Sequence, residues 1–350
     1  MSHTLHLDAS NPEDLARAAD LLRTSHLVAF ATETVYGLGA NALSPDAVAA
    51  IFVAKQRPSW DPLIVHLASA EQLGSVSRVP PELAPRIGAL ARAFWPGPLT
   101  LLLPRVAGIP DAVTAGRDLV GVRVPAHPAA RALLAAVGLP IAAPSANLFG
   151  HTSPTTAAHV FADLDGRIDA VLDAGPTSIG VESTVLDPTQ TPMVLYRPGA
   201  VTAEQLTAAT GVAVEEFVPE TFVPATEAEV QHPASMPSPG VGIRHYAPRA
   251  PLMLVAGSVA RLQNALHTAK SHSGSGSVGV LLPQGWPLRG DAVLQPWGRW
   301  DDPESLATTL FAGLRALDDQ GVSLILCPLP ESGGIGDAIR DRLRKAARTA

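Results

Sequence analysis

The sequence predicts an α/β protein: a mixed, twisted sheet wrapped by helices, followed by a smaller α/β domain. Three observations carry that prediction. Short runs rich in Val, Leu, Ile and Ala alternate with helical patterns from residue 27 to residue 196. A stretch with little periodicity, holding prolines 219, 224, 233, 237 and 239, then breaks the pattern. A second alternation of strands and helices begins at Leu252. At 350 residues the chain is long enough for two domains with sizeable cores.

Leu27–Ala31 reads as a buried strand, and Thr32–Gly37 as a hydroxyl-rich turn after it. Ser44 and Pro45 supply an N-cap and a first helical position. Val48, Ile51 and Phe52 give that helix its apolar face, and Pro58 stops it, placing Lys55 and Arg57 in its last turn. Leu63–Leu67 is the next strand. Leu99–Leu103, Val120–Val124, Ile141–Ala143, Ala170–Leu172, Ser183–Leu186 and Met193–Tyr196 follow, with helical patterns over Glu82–Ala93, Ala129–Val137 and Thr155–Phe161. This first domain is expected over 1–213 and a proline-rich linker over 214–249. A small Rossmann-like α/β domain is expected over 250–350. Its elements are strand Leu252–Val255, helix Val259–Ala269, loop Ser271–Ser277, strand Val278–Leu282, helix Asp302–Asp319, strand Val322–Cys327 and helix Gly336–Ala347. The order is roughly β-α-β-β-α-β-α, with one of its four strands not delimited.

Composition narrows the classes. With 47% hydrophobic and 16% charged residues the chain is a packed one, and at 5% aromatics its core rests on Ala, Val, Leu and Ile. A net charge of −7 argues against nonspecific binding to a nucleic-acid backbone, while leaving room for a local basic pocket. The single cysteine, Cys327, excludes an internal disulfide or a cysteine-rich zinc site, and its apolar surroundings make it a buried thiol. There is no H-E-x-x-H and no clustered His/Cys/Asp spacing, so no metal ligands are assigned. No apolar run reaches the ~20 residues of a membrane span. The N-terminal stretch lacks a basic start followed by an apolar segment, so a cytoplasmic location is expected.

The most informative pairing is Lys55-Gln56-Arg57-Pro58 with Pro144-Ser145-Ala146-Asn147. It sets two long cations and two small hydrogen-bonding side chains beside apolar strands, which is what gripping a polyphosphate requires. The alternative is that the cations only complement a helix dipole, worth about 0.3–1 kcal/mol. No G-x-x-x-x-G-K-[ST] loop is present. Thr32, Thr34 and Tyr36, at i, i+2 spacing, fit either turn chemistry or one side of a pocket at a strand end. Ser145 lacks a G-x-S-x-G elbow, which disfavours covalent catalysis and leaves hydrogen bonding to a ligand or a turn. Arg123 and Arg197 each interrupt an apolar run and need a partner, either an internal carboxylate or a ligand; two such arginines favour a shared anionic ligand. For His66, inside a strand, a core role with a backbone partner is the commoner reading. Gly333-Gly334-Ile335-Gly336 reads as a glycine turn opening a helix.

Taken in order, these segments resemble the YrdC-like family in the long, two-domain form of its threonylcarbamoyl-AMP synthases. The resemblance rests on T-E-T-V-Y-G-L-G (32–39), K-Q-R-P (55–58) with P-L-I-V-H (62–66), and F-W-P-G-P-L-T (94–100). It continues through 113–116, 121–128, 144–147 with Gly150, 153–155, 182–187 and 197–199. Ser238-Pro239-Gly240 with Arg244-His245-Tyr246-Ala247-Pro248 resembles the tether to the second domain. The resemblance implies a YrdC-like sheet and the synthesis of threonylcarbamoyl-AMP and pyrophosphate from L-threonine, bicarbonate or CO2, and ATP, with Mg2+. The product would serve t6A37 modification of tRNA through a tRNA threonylcarbamoyl transferase complex, with indirect or weak contact to tRNA itself and none to a membrane. By the same resemblance Thr34, His66, Arg123, Ala143 and Ser183 hold L-threonine, Arg123 taking its carboxylate. Lys55, Arg57, Asp61, Ser145, Asn147, Ser153, Arg197 and Tyr246 hold ATP, and Lys55 and Arg57 are catalytic through their charge. The sequence departs from the family at Ala31, where proline is usual, at Asp61, often asparagine, and at Val241-Gly242-Ile243, where Met-Lys-Tyr is expected. An RNA-binding YrdC-like module without adenylation activity is the alternative, and the acidic net charge disfavours it.

Overall fold

The computed structural model describes residues 3–218, 245–272 and 276–348. In chain order the larger sheet contains β1 (Leu5–Asp8), β2 (Val28–Ala31), β3 (Tyr36–Asn41), β4 (Ile64–His66), β5 (Leu99–Pro104) and β6 (Leu119–Arg123). It continues with β7 (Ile141–Ala142), β8 (Ala170–Asp173), β9 (Thr184–Asp187), β10 (Met193–Arg197) and β11 (Val214–Glu216). Their spatial order is β1-β8-β2-β3-β7-β4-β6-β5-β9-β10-β11. Pairing is mixed: β2 runs parallel to β8 but antiparallel to β3, and β6 runs parallel to β4 but antiparallel to β5.

Alternation along β2 shows how the sheet is covered on both faces. Val28 and Phe30 join a cluster with Leu22, Leu133 and Leu134, from α1 (Pro12–Arg23) and α5 (Pro128–Val137). Ala29 and Ala31 join the other cluster, with Val48 and Ile51 of α2 (Pro45–Lys55), Leu90 of α3 (Ala84–Phe94) and Val160 of α6 (Ala157–Leu164). The short α4 (Asp111–Thr114) and α7 (Ala203–Thr210) complete this part. Ser44 caps α2 as the sequence predicts, its side chain accepting from the Ala47 N–H. The helix stops earlier than expected, however. Gln56 turns left-handed at φ 52°, so Lys55 is the last helical residue and Arg57 lies beyond the end.

The second sheet has β12 (Leu252–Ala256), β13 (Val278–Pro283), β14 (Val293–Trp297) and β15 (Leu324–Leu329), in the order β12-β15-β13-β14. All its neighbours are parallel. With α8 (Val259–His272), α9 (Pro303–Asp319) and α10 (Ile335–Ala346), the element order is the β-α-β-β-α-β-α read from the sequence. Cys327 is fully buried, and burial pushes its thiol pKa up. No helix among the described residues is long and apolar enough to cross a membrane.

Strand β11 lies inside the stretch expected to be linker: it pairs with β10, and the Phe217 N–H donates to the Leu195 carbonyl. The linker prolines, Ser238-Pro239-Gly240, Val241-Gly242-Ile243 and Arg244 lie outside the described residues, as do residues 273–275 of the Ser271–Ser277 loop. The two sheets share apolar packing, because Val35 and Val181 join a cluster with Leu306, Leu310 and Phe311 of α9. Gly180 sits at that contact with φ +83°, and a Cβ there would lie 2.4 Å from the Ala307 carbonyl oxygen. Arg315 of α9 pairs with Asp163 at 2.7 Å and donates to the Thr152 carbonyl.

Candidate active site

The turn between β2 and β3 is folded by its own hydroxyls. Thr32 Oγ1 accepts from the Thr34 and Val35 N–H groups and lies 2.8 Å from Thr34 Oγ1. This presents Thr34 to the end of β6, where Arg123 Nη1 donates to its hydroxyl at 2.9 Å. Arg123 Nη2 pairs with Glu33 at 2.6 Å, and its Nε donates to the Gly97 carbonyl. An internal carboxylate therefore satisfies Arg123. Burial alone would raise Glu33, but the adjacent guanidinium outweighs it and holds the carboxyl below its ordinary value. His66 ends β4 with its ring edge-on to Phe30, and its Nδ1 has no hydrogen-bond partner among the described residues. Burial, reinforced by Arg123, pushes its pKa down to about 3, so the ring is neutral at pH 7.

On the other side, Arg197 ends β10 and donates to the Ser183 carbonyl at 3.0 Å and to Ser183 Oγ at 3.1 Å. Ser183 Oγ lies 2.8 Å from Thr100 Oγ1. Arg57 pairs with Asp61 Oδ2 at 2.9 Å, donates to the Pro62 carbonyl and lies over the Phe149 ring. Lys55 Nζ donates to the carbonyls of Ser145 and Asn147, so the two segments singled out in the sequence do meet. Burial and the nearby Arg57 push the Lys55 pKa well below the ordinary lysine value, and burial lowers Arg57 too.

One cavity collects these elements. Thr32, Thr34, Arg57, His66 and Arg123 line it, with Ala143, Ser145, Glu182, Ser183, Arg197, His245 and Tyr246. Lys55, Asp61, Asn147 and Ser153 stand behind this lining: Asn147 Nδ2 donates to Leu148 and His151 carbonyls, and Ser153 Oγ to Glu182. Tyr36 points away, its hydroxyl donating to Gly175 O at 2.7 Å and lying 3.1 Å from Asp173 Oδ1. The i, i+2 pattern thus holds for Thr32 and Thr34 and fails for Tyr36, which belongs to a strand. Tyr246, at φ +63°, stacks on Phe311, and burial pushes its hydroxyl up to about 12. Glu33, Glu182 and His245 were not anticipated as site residues. The first two carry a visible signal, an acid amid hydroxyls (T-E-T) and an acid in an apolar run (G-V-E-S). Among the described residues no group of three or more His, Cys, Asp or Glu could hold a metal ion.

The Sua5/YciO/YrdC family model, described as telomere recombination, matches residues 20–199. A model for the threonylcarbamoyl-AMP synthase C-terminal domain matches residues 201–348. A threonylcarbamoyl-AMP synthase of Bacillus subtilis is 44% identical, over 97% of this chain and 94% of its own. One of Pyrococcus abyssi is 43% identical, over 94% and 93%. The solved structure of P. abyssi Sua5 complexed with L-threonine superposes with a TM-score of 0.86 at 41% identity, covering 98% of this chain and 97% of that one. The chain belongs to the Sua5/YciO/YrdC family, in the two-domain form of the threonylcarbamoyl-AMP synthases.

Proposed function

We propose that this chain is an L-threonylcarbamoyladenylate synthase, converting L-threonine, bicarbonate or CO2, and ATP to threonylcarbamoyl-AMP and pyrophosphate. The observation that carries the reading is a single cavity lined by Arg57, Arg123 and Arg197 together with the hydroxyl residues Thr32, Thr34, Ser145 and Ser183. Arg123, Thr34 and Ser183 would hold the amino acid beside His66 and Ala143. Arg57, Arg197 and Ser145 would hold the triphosphate, with Tyr246 against it and Lys55, Asp61, Asn147 and Ser153 supporting them from behind.

The chemistry requires these charges. A neutral threonine amine attacks the carbon of CO2 and loses a proton, or condenses with bicarbonate and releases water. The resulting carbamate oxygen then attacks the α-phosphorus, and pyrophosphate leaves. Two anions must meet, so fixed cations lower the barrier and positioning replaces a protein nucleophile. His66 is too weak a base to keep a proton at neutral pH, which makes it a hydrogen-bonding partner in this scheme. Mg2+ would enter with the nucleotide, held largely by phosphate oxygens, and supply further positive charge there. The product would pass to a tRNA threonylcarbamoyl transferase complex for t6A37 formation.

Pyrophosphate release from ATP and bicarbonate, measured with and without L-threonine, tests the function. Release that requires all three substrates is expected. Release indifferent to the amino acid, or none at all, would overturn it.

A further inference from the structure

Glu182 is an acid in the wall of a cavity read as an ATP site, where a carboxylate should repel the phosphates. Its surroundings account for it. Oε2 and the backbone carbonyl of Glu182 accept from Arg342 Nε at 2.7 Å and Nη2 at 3.3 Å. Its other oxygen, Oε1, accepts from Ser153 Oγ. Arg342 lies on α10 in the second domain, 160 positions from Glu182. It is 1% exposed, and its remaining nitrogen, Nη1, pairs with Asp341 at 2.6 Å. Its guanidinium carbon stands 5.2 Å from the centre of the Tyr246 ring, another cavity residue. Lys345, one turn further along α10, pairs with the same Asp341. The four charged groups Glu182, Arg342, Asp341 and Lys345 therefore sum to zero when all are ionised.

We propose that Arg342 is a positioning residue of the synthase site, cancelling the charge of Glu182 and fixing Glu182 against Ser153 so that the triphosphate meets a neutral wall. The second domain then contributes to nucleotide binding through Glu182. The inference rests on the proposed synthase reading and assigns no contact between Arg342 and substrate. Without Arg342, Glu182 loses its counter-ion and retains only the Ser153 contact, leaving an unneutralised buried carboxylate beside the phosphates.

The test compares wild type, Arg342→Met and the double variant Glu182→Gln/Arg342→Met, each checked for folding by circular dichroism. ATP KM and kcat are read from threonine-dependent pyrophosphate release, and L-threonine affinity from calorimetry. Arg342→Met should raise the ATP KM on the order of 30-fold, the scale of orphaning one partner of a buried pair, with threonine affinity unchanged. The double variant, which has no orphaned charge, should recover most of that loss. A double variant no better than the single one would overturn the proposal and make Arg342 a clamp between domains, as would two unfolded variants. An unfolded Arg342→Met rescued by Glu182→Gln would support it. Wild type without threonine-dependent turnover would instead remove the synthase reading itself.

Discussion

Lys55 and Arg57 stand two positions apart, yet they hold different kinds of partner. Among the described residues Lys55 donates to carbonyls, whereas Arg57 forms a buried ion pair with Asp61, the two side chains 3% and 1% exposed. Arg57→Ala should therefore abolish turnover and also destabilise the fold by about 3–5 kcal/mol, the scale of removing one partner of a buried ion pair. Arg57→Met/Asp61→Asn separates the two effects: denaturant melts should return toward wild type while pyrophosphate release stays lost. His66 gives a pH prediction. Its folded pKa of about 3 lies below the ordinary 6.5, so the unfolded chain binds more protons between those values. The stability present above pH 6.5 is lost as pH falls toward 3. Wild type should lose about 2 kcal/mol more than His66→Asn between about pH 6 and about pH 4 in denaturant titrations. The cations and hydroxyls of this cavity were legible because each breaks a local pattern. That Glu33 answers Arg123 was not legible, because the two are 90 positions apart and only the strand pairing brings them together.

Among the elements, the inner strands were legible as apolar runs bounded by turns, and α2 by its serine-proline start. Strand β3, Tyr36-Gly37-Leu38-Gly39-Ala40-Asn41, was hidden by two glycines that depress strand propensity. Gly39 is required there, since a Cβ would lie 2.9 Å from the Phe30 ring. Helix α1 carries the same start as α2, Asn11 capping Glu13 with Pro12 behind it, so that signal was available and unread. Two substitutions test elements that hold site residues. Ser44→Ala, at the cap of the helix ending in Lys55, should cost about 1 kcal/mol in chemical denaturation. Gly199→Ala, two residues after Arg197, would set a Cβ 2.3 Å from the Thr184 nitrogen. It should destabilise the protein by about 1–3 kcal/mol and lower threonine-dependent turnover in a steady-state assay.

For the whole molecule, the composition break showed that there are two sheets but not that they share a core. The contact is made by single residues, Val35 and Val181 against α9, and by pairs such as Arg315 with Asp163, none of which forms a pattern along the chain. Because that contact is buried and charged, the two parts should melt in one transition. Arg315→Ala, which removes the partner of Asp163 from the second domain, should lower its midpoint and uncouple the parts into two steps by calorimetry.

That shared wall also bears on folding speed. Its partners are separated by 160 positions between Glu182 and Arg342 and by 163 between Thr152 and Arg315, so loop closure must be completed before the wall can form. The second sheet gains its strands from closer neighbours, as where Leu252 of β12 faces Ile325 of β15 and Val278 of β13 faces Leu324. During refolding, amide protection of β13 and β15 in pulsed hydrogen exchange should therefore precede the return of nucleotide affinity, leaving an interval in which the second sheet is ordered but the chain still inert.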